Sequence, residues 1–207
     1  MKQKTLLLTI LGAVAVILLL VITGRSIHKG TGDLLLAQTP DAGEQAQAEA
    51  KRDVLIPAQR AVKAPALSEG IWINSEPMKL EDLRGRVVVL DFWTFGCYNC
   101  RNTLPTLKRW DASYREKGLT IVGVHSPEFD HEKEEQNVRR EVRSLGIRYP
   151  VVTDNEYETW RAFGIKAWPT TVILDKKGRV RFIHIGEGMY GEMENAIEKL
   201  LAEPSGD

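Results

Sequence analysis

The two cysteines of this 207-residue chain, Cys97 and Cys100, have two residues between them in the stretch "WTFGCYNC". A structural disulfide gains stability from the length of the loop that it closes, and this loop is too short to contribute much. A structural zinc site needs about four ligands, and the chain has no second pair of cysteines. The spacing therefore favours reversible thiol–disulfide exchange, in which one thiolate attacks a substrate disulfide and the other resolves the mixed intermediate.

The cysteines follow a stretch that is predicted to be a buried strand. The run "VVVLDFW" at 87–93 is apolar except for Asp91, which is typical of a central strand covered on both faces. After the cysteines, apolar residues recur at helical spacing from Leu104 to Tyr114, and Gly118 is suited to end that helix. We therefore expect the cysteine pair at the junction between a strand and the helix that follows it.

The rest of the folded part alternates in the same way. We expect a hairpin from "IWINSEPMKLEDLRGR", then a strand from "LTIVGVHS" and a helix from "EEQNVRREVRSLG". A short edge strand from "YPVVTD" and a short helix from "EYETWRAFG" are expected to follow. The chain is expected to close with an antiparallel strand pair joined by "KKGR" and a final helix with Met189, Met193, Ile197 and Leu200 on one side. Alternating β and α units predict an α/β fold with a mostly parallel central sheet and helices on both faces.

The N-terminus has the composition of a membrane anchor. Residues 5–24 carry no charge and are numerous enough to span a bilayer, and Lys2 and Lys4 precede them. The exit "VITGRS" lacks the small-x-small pattern of a cleavage site, so we predict an uncleaved transmembrane helix at 1–25.

Behind the predicted anchor, the composition separates a tether from a domain. Residues 26–66 are rich in Ala, Gln, Glu, Pro and Gly, which indicates a flexible tether, and 67–203 have a globular composition. A short lysine-bearing N-terminus most simply stays in the cytosol, so we expect the domain on the periplasmic or extracellular face of the cell membrane. Lysine plus arginine (28) balance aspartate plus glutamate (28), so the charge does not indicate a nucleic-acid partner.

The chain resembles the thioredoxin superfamily at three places. Asp91 stands six residues before Cys97, Pro105 falls five residues after Cys100, and "FGIKAWPTTVILDKKGRV" resembles the segment with the family's cis-proline, which makes Pro169 that residue. About thirty extra residues lie between these matches, "HSPEFDHEKEEQNVRREVRSLGIRYPVVTD". Such an inserted βα unit, together with the N-terminal hairpin and the membrane anchor, is similar to the TlpA/ResA-like group of extracytoplasmic thiol:disulfide oxidoreductases. "GVHSPEF" and "TLPTLKRW" are similar to the soluble domain of DipZ-type membrane reductases. The resemblance implies a thioredoxin-like fold with an N-terminal hairpin extension and an inserted βα unit.

Two positions depart from the family pattern. Tyr98 and Asn99 replace the Gly-Pro of typical thioredoxins, and Trp168 precedes the expected cis-proline where a small or β-branched residue is common. Both positions touch the active disulfide in the family, so the redox potential and the choice of substrate are not carried over.

The resemblance assigns roles to both sulfurs and to one acid. Cys97, at the N-terminus of the helix, is predicted to be the exposed nucleophile, with its pKa lowered from about 8.5 toward roughly 7 by the helix amides and dipole. Cys100, one turn further, is predicted to be the more buried resolving thiol and to form the redox-active disulfide with Cys97. Asp91 is predicted to be a buried acid that takes the proton from Cys100; the alternative is an aspartate that reaches water or a lysine.

Residues further along the chain complete the predicted site. Pro169 in cis is expected to present the Trp168 backbone to an incoming peptide, and the Trp168 side chain is either a substrate platform or core packing. Trp93 and Phe95 flank the site, and such residues more often belong to the core or rim than to recognition.

One cluster of polar residues has the types of a metal site. His125, Glu128, Asp130 and His131 lack a recognised ligand spacing, so we expect a solvated polar loop and no metal. The charged residues from Glu132 to Arg148 are expected to form the exposed face of a helix.

The sequence thus predicts a membrane-anchored enzyme that exchanges its dithiol with disulfide-containing protein substrates and needs no cofactor. The resemblance implies a reducing role, such as keeping the haem-site cysteines of apocytochrome c reduced, with electrons from a separate membrane thiol reductase. One alternative is a peroxiredoxin-type peroxidase, because "TFGC" holds the T-x-x-C half of that signature, although Leu90 stands where its leading proline would be. The other is a non-catalytic scaffold or metal-holding domain.

Overall fold

A six-stranded mixed sheet forms the centre of the structure, a computed structural model that describes residues 55–204. The strands are β1 Trp72–Ile73, β2 Val87–Trp93, β3 Leu119–His125, β4 Val151–Thr153, β5 Thr170–Leu174 and β6 Val180–Ile185. They lie in the order β1, β4, β3, β2, β5, β6. β2 pairs in parallel with β3 and antiparallel with β5, so the predicted central strand does lie inside the sheet. The expectation of a mostly parallel sheet is wrong, because β1–β4, β2–β5 and β5–β6 are antiparallel pairs.

Four α-helices accompany this sheet in the described part of the chain. They are α1 Tyr98–Tyr114, α2 Glu135–Ser144, α3 Glu158–Ala162 and α4 Tyr190–Ala202. Pro105 lies inside α1, as the sequence predicts. A short 3₁₀ turn, Arg115–Lys117, follows α1, and Gly118 ends it in the left-handed conformation that glycine adopts without strain.

The helices cover both faces of the sheet, because successive side chains of a strand point to opposite sides. Trp93 of β2 belongs to the same core as Leu107 of α1 and Ile197 of α4. Phe92 belongs to the opposite core, where its ring meets the ring of Trp160 from α3 at a centroid distance of 6.4 Å. Every residue of β2 is buried, and each large apolar side chain so covered contributes about 2 kcal/mol to the free energy of unfolding.

The predicted N-terminal hairpin is wrong. β1 pairs antiparallel with β4, and the residues that were expected to return as a strand form the 3₁₀ turn Leu80–Leu83. Asn74 supplies the physical reason, because its side-chain amide donates hydrogen bonds to the carbonyls of Ile147 and Tyr149 at 3.0 and 3.1 Å. These bonds tie the end of β1 to the chain that leads into β4. β4 is consequently interior, and the strand at this edge of the sheet is β1 rather than β4.

Residues 55–66 pack against β6, although the sequence assigns them to the tether. The Ile56 N–H donates to the Arg181 carbonyl at 2.7 Å, and the Val180 N–H donates to the Val62 carbonyl at 2.9 Å. The folded part of the chain therefore includes these residues.

No helix within residues 55–204 is long and apolar enough to cross a bilayer. The predicted anchor at 1–25 and the tether up to residue 54 lie outside the described residues.

Candidate active site

The cysteine pair lies at the start of α1, directly after the central strand. Cys97 and Cys100 are joined as a disulfide, with their Cα atoms 5.3 Å apart. Cys97 is the N-cap of α1, and its Sγ accepts a hydrogen bond from the Cys100 N–H at 3.1 Å. Because a helix N-terminus favours negative charge, this position suits a thiolate at Cys97 after reduction. Cys97 is half-buried whereas Cys100 is 1 % exposed, so Cys97 is the more accessible sulfur.

Asp91 lies on β2 beneath this junction. It is 1 % exposed, and it points to the same face of the sheet as Trp93, which is the face that α1 covers. Its Oδ1 atom has no hydrogen-bond partner among the described residues. Burial raises the pKa of Asp91 to about 7, because the charged form loses its hydration. A carboxyl group with this pKa can accept and release a proton near neutral pH.

Two further side chains with buried polar atoms, Trp93 and Tyr149, pack around Gly123. Gly123 of β3 is the register partner of Asp91, and a Cβ atom at Gly123 would come within 2.9 Å of Trp93 Nε1 and 3.4 Å of Tyr149 Cε2. Neither Trp93 Nε1 nor the Tyr149 hydroxyl has a hydrogen-bond partner within 55–204. Burial first, and then the negative charge of Asp91, raise the pKa of Tyr149 well above its usual range. Asp91 therefore shares a tightly packed environment with Tyr149, a residue that no sequence pattern singled out.

The Trp168–Pro169 peptide bond is cis, as the sequence predicts. The Trp168 indole N–H donates to the Ser126 carbonyl at 3.0 Å, and the Trp168 ring lies 4.5 Å from the ring of Trp160. These contacts fix the half-buried indole in the fold. Of the two roles expected for the Trp168 side chain, these contacts support packing. Contact of Trp168 and Pro169 with substrate stays a prediction.

The expectation of a solvated loop is wrong for His125. This residue ends β3 and is fully buried, with its ring stacked on Phe95 at 5.5 Å and edge-on to Trp93 at 5.3 Å. Burial lowers the pKa of His125 to about 4, so the imidazole is neutral at physiological pH. Glu128, Asp130 and His131 are exposed. Among residues 55–204, no three His, Cys, Asp or Glu side chains are arranged to hold a metal ion.

Glu132 is the functional candidate that the sequence prediction missed. It was expected on the exposed face of a helix, yet it ends the 3₁₀ turn Asp130–Glu132 and is fully buried. Its Oε1 accepts a hydrogen bond at 2.9 Å from the N–H of Gly96, the residue before Cys97. The physical reason for the error is that one of its partners, the Gly96 N–H, belongs to a loop 36 residues earlier in the chain, and no local pattern reveals that contact.

Comparisons with known proteins show which family and which relatives this chain is similar to. A sequence model of the AhpC/TSA family matches residues 61–183. The chain is 40 % identical over 133 residues to protein DipZ of Mycobacterium tuberculosis, which covers 63 % of this chain and 19 % of DipZ. The chain therefore spans less than a fifth of that relative. It is also 30 % identical over 129 residues to the thiol-disulfide oxidoreductase ResA of Halalkalibacterium halodurans, covering 62 % of this chain and 70 % of ResA.

Solved structures give the same result for the fold. A thioredoxin-like superfamily protein has a TM-score of 0.66 and 26 % identity, over 70 % of this chain and 99 % of that chain. A thiol:disulfide interchange protein of Chlorobium tepidum TLS has a TM-score of 0.60 and 25 % identity, over 69 % and 98 % of the two chains. The predicted thioredoxin-like α/β fold is confirmed.

Proposed function

The chain belongs to the AhpC/TSA family and is a thiol:disulfide oxidoreductase of thioredoxin-like fold, and we propose that it reduces disulfides in proteins outside the cytoplasm. The observation that carries the proposal is the unequal burial of the two sulfurs at the start of α1. An accessible sulfur at a helix N-terminus can attack a large protein substrate, and a buried sulfur one turn away can resolve the intermediate without meeting the substrate.

The reaction transfers two electrons and two protons from the dithiol to the substrate disulfide. The Cys97 thiolate attacks one substrate sulfur, the substrate S–S bond breaks, and the departing sulfur takes up a proton. Asp91 then accepts the proton of Cys100, whose thiolate attacks Cys97 Sγ. The mixed disulfide breaks, the second substrate thiol leaves with a proton, and the Cys97–Cys100 disulfide has formed.

The partners in this proposal are proteins. Pro169 and Trp168, whose peptide bond lies in the loop before β5, would contact the substrate backbone beside Cys97. The haem-site cysteines of apocytochrome c are the substrate class that the family resemblance favours. A separate membrane thiol reductase would return the Cys97–Cys100 disulfide to the dithiol.

The test is reduction of an oxidised peptide that carries a Cys-x-x-Cys-His pair by the purified, reduced chain. We expect one peptide disulfide to be reduced for each protein dithiol consumed, as followed by mass spectrometry. Hydrogen peroxide, offered in a parallel reaction, should be consumed no faster than by a free thiol. Faster reaction with peroxide than with the peptide would favour the peroxidase alternative and reject the proposal.

We further propose that residues 1–25 anchor the chain in the membrane and that 26–54 form the tether to an extracytoplasmic domain. With Cys97 and Cys100 replaced by alanine, an Ala46→Cys variant should react with a membrane-impermeant maleimide in intact cells. A Gln3→Cys variant on the same background is the matched control and should be labelled only after lysis. The opposite pattern would place the domain in the cytosol.

A further inference from the structure

The loop that carries Cys97 is held by a buried carboxylate from another part of the chain. Glu132 Oε1 accepts the Gly96 N–H at 2.9 Å, and Glu132 Oε2 accepts the N–H groups of Glu128 and Phe129 at 2.6 and 3.0 Å. The Thr94 hydroxyl is a further donor to this carboxylate. One side chain therefore joins the loop before α1 to the loop that follows β3.

The sequence of the cysteine loop is adapted to this contact. A Cβ atom at Gly96 would collide with Glu132 Oε1. Glycine at this position therefore serves the close approach of the carboxylate rather than an unusual backbone angle, since Gly96 is not among the glycines with positive φ.

The carboxylate keeps its negative charge although it is buried. Burial alone would raise the pKa of Glu132, but the hydrogen bonds from the Thr94 hydroxyl and the three backbone N–H groups outweigh it, and the pKa lies below its usual value. None of these donors carries a charge. Lys133, the next residue, forms its ion pair with Asp130 at 2.9 Å.

A buried anion beside Cys97 affects the redox equilibrium. Like charges disfavour each other, so the Glu132 carboxylate opposes formation of the Cys97 thiolate. The thiolate contributes to the stability of the reduced form, and the disulfide form carries no such charge. Disfavouring the thiolate therefore shifts the equilibrium toward the disulfide, which makes the dithiol give up its electrons more readily.

We propose that Glu132 is a positioning residue of the redox site, whose buried carboxylate fixes the loop that carries Cys97 and whose charge makes the dithiol a stronger reductant. This inference rests on the proposed exchange at Cys97. It is measured by an equilibrium with glutathione, which requires no physiological substrate.

The test is a Glu132→Gln variant of the full chain. Removing the charge should shift the thiol–disulfide equilibrium with glutathione about tenfold toward the dithiol, equivalent to about 30 mV. The pH midpoint for alkylation of Cys97 should move to a lower value. Glu128→Gln is the matched control, since it removes an exposed charge from the same loop and leaves the backbone N–H bond to Glu132 in place; it should change neither quantity measurably.

Three results would contradict the redox role of Glu132 or the proposed function. If a Glu132→Gln variant loses stability but keeps the alkylation profile and the glutathione equilibrium, Glu132 stabilises the fold only and its charge does not affect the redox site. If the variant does not fold, ¹³C-carboxyl NMR of the unmutated chain replaces it, and protonation of Glu132 between pH 5 and 9 would overturn the inference. If the variant shifts the equilibrium but the unmutated chain reduces no protein disulfide, only the proposed function fails.

Discussion

Cys100→Ala is expected to accumulate partner proteins as covalent adducts, whereas the unmutated chain releases them. The variant keeps Cys97 at the N-terminus of α1, so the first attack still occurs. It lacks the sulfur that completes the second step, so the mixed disulfide is resolved only by external thiols. Because Cys97 and Cys100 are the two cysteines of the chain, any adduct in this variant must be through Cys97. Dithiothreitol should cleave the adducts, and mass spectrometry should identify the partners.

Cys97→Ala is the matched control for that experiment. Its remaining cysteine, Cys100, is 1 % exposed and lies one turn into α1, so it should trap almost nothing and exchange should fall to the background rate. If both variants trap partners equally, or if Cys97→Ala alone traps them, the assignment of nucleophile and resolving thiol is wrong.

Asp91→Asn is expected to stabilise the oxidised protein at pH 8 while slowing the second step of exchange. The folded-state pKa of Asp91 is about 7 and its ordinary value is 3.8. Below pH 3.8 both the folded and the unfolded chain hold the proton, so folding has no extra cost. Between pH 3.8 and pH 7 the folded chain keeps the proton while the unfolded chain releases it, so the free energy of unfolding falls as pH rises. The total loss reaches about 4 kcal/mol above pH 7. Asparagine removes this cost but leaves an unpaired amide, so we expect a net gain of about 2 kcal/mol.

Urea denaturation at pH 5 and pH 8 measures the effect on stability, and the gain from Asp91→Asn should be larger at pH 8. Release from a mixed disulfide should slow about 100-fold, as expected for the loss of a general base, while alkylation of Cys97 should be nearly unchanged. Equal slowing of both steps would reject the proton-transfer role.

Asp154→Asn is the matched control for burial of an aspartate. Asp154 is 2 % exposed, but its carboxylate accepts hydrogen bonds from the N–H groups of Thr159 and Trp160 and from the Ser126 hydroxyl. This variant should lose stability, because an amide cannot accept from all of these donors. A gain for both variants would show that the effect does not depend on the unpaired state of Asp91.

Local pattern was sufficient to predict the elements that build the site. The run around Asp91 is apolar on both faces, which is typical of a central strand, and β2 is such a strand. The cysteine pair, Pro105 and the cis bond before Pro169 followed from fixed positions in a family pattern.

Long-range contacts were not predictable in the same way. β1 is only two residues long, and its pairing with β4 is set by the side chain of Asn74 and carbonyls far along the chain. Glu132 stands in the polar run "HEKEE", and it differs from its neighbours by accepting a hydrogen bond from the N–H of Gly96, 36 residues earlier in the chain. The burial of His125 was not predictable either, because it depends on contacts with the rings of Phe95 and Trp93, about thirty residues earlier in the chain.

The pairing of residues 55–66 with β6 also bears on self-association. β6 is an edge strand, and Ile183 and Ile185 on it are 51 % and 58 % exposed. An open edge with apolar side chains is a template on which a second chain can add a strand. The Ile56 N–H donates to the Arg181 carbonyl and the Val62 carbonyl accepts from the Val180 N–H, so residues 55–66 occupy the first part of that edge. The opposite edge strand, β1, is only two residues long. Residues 55–66 thus shorten the stretch of β6 on which a second chain could add a strand.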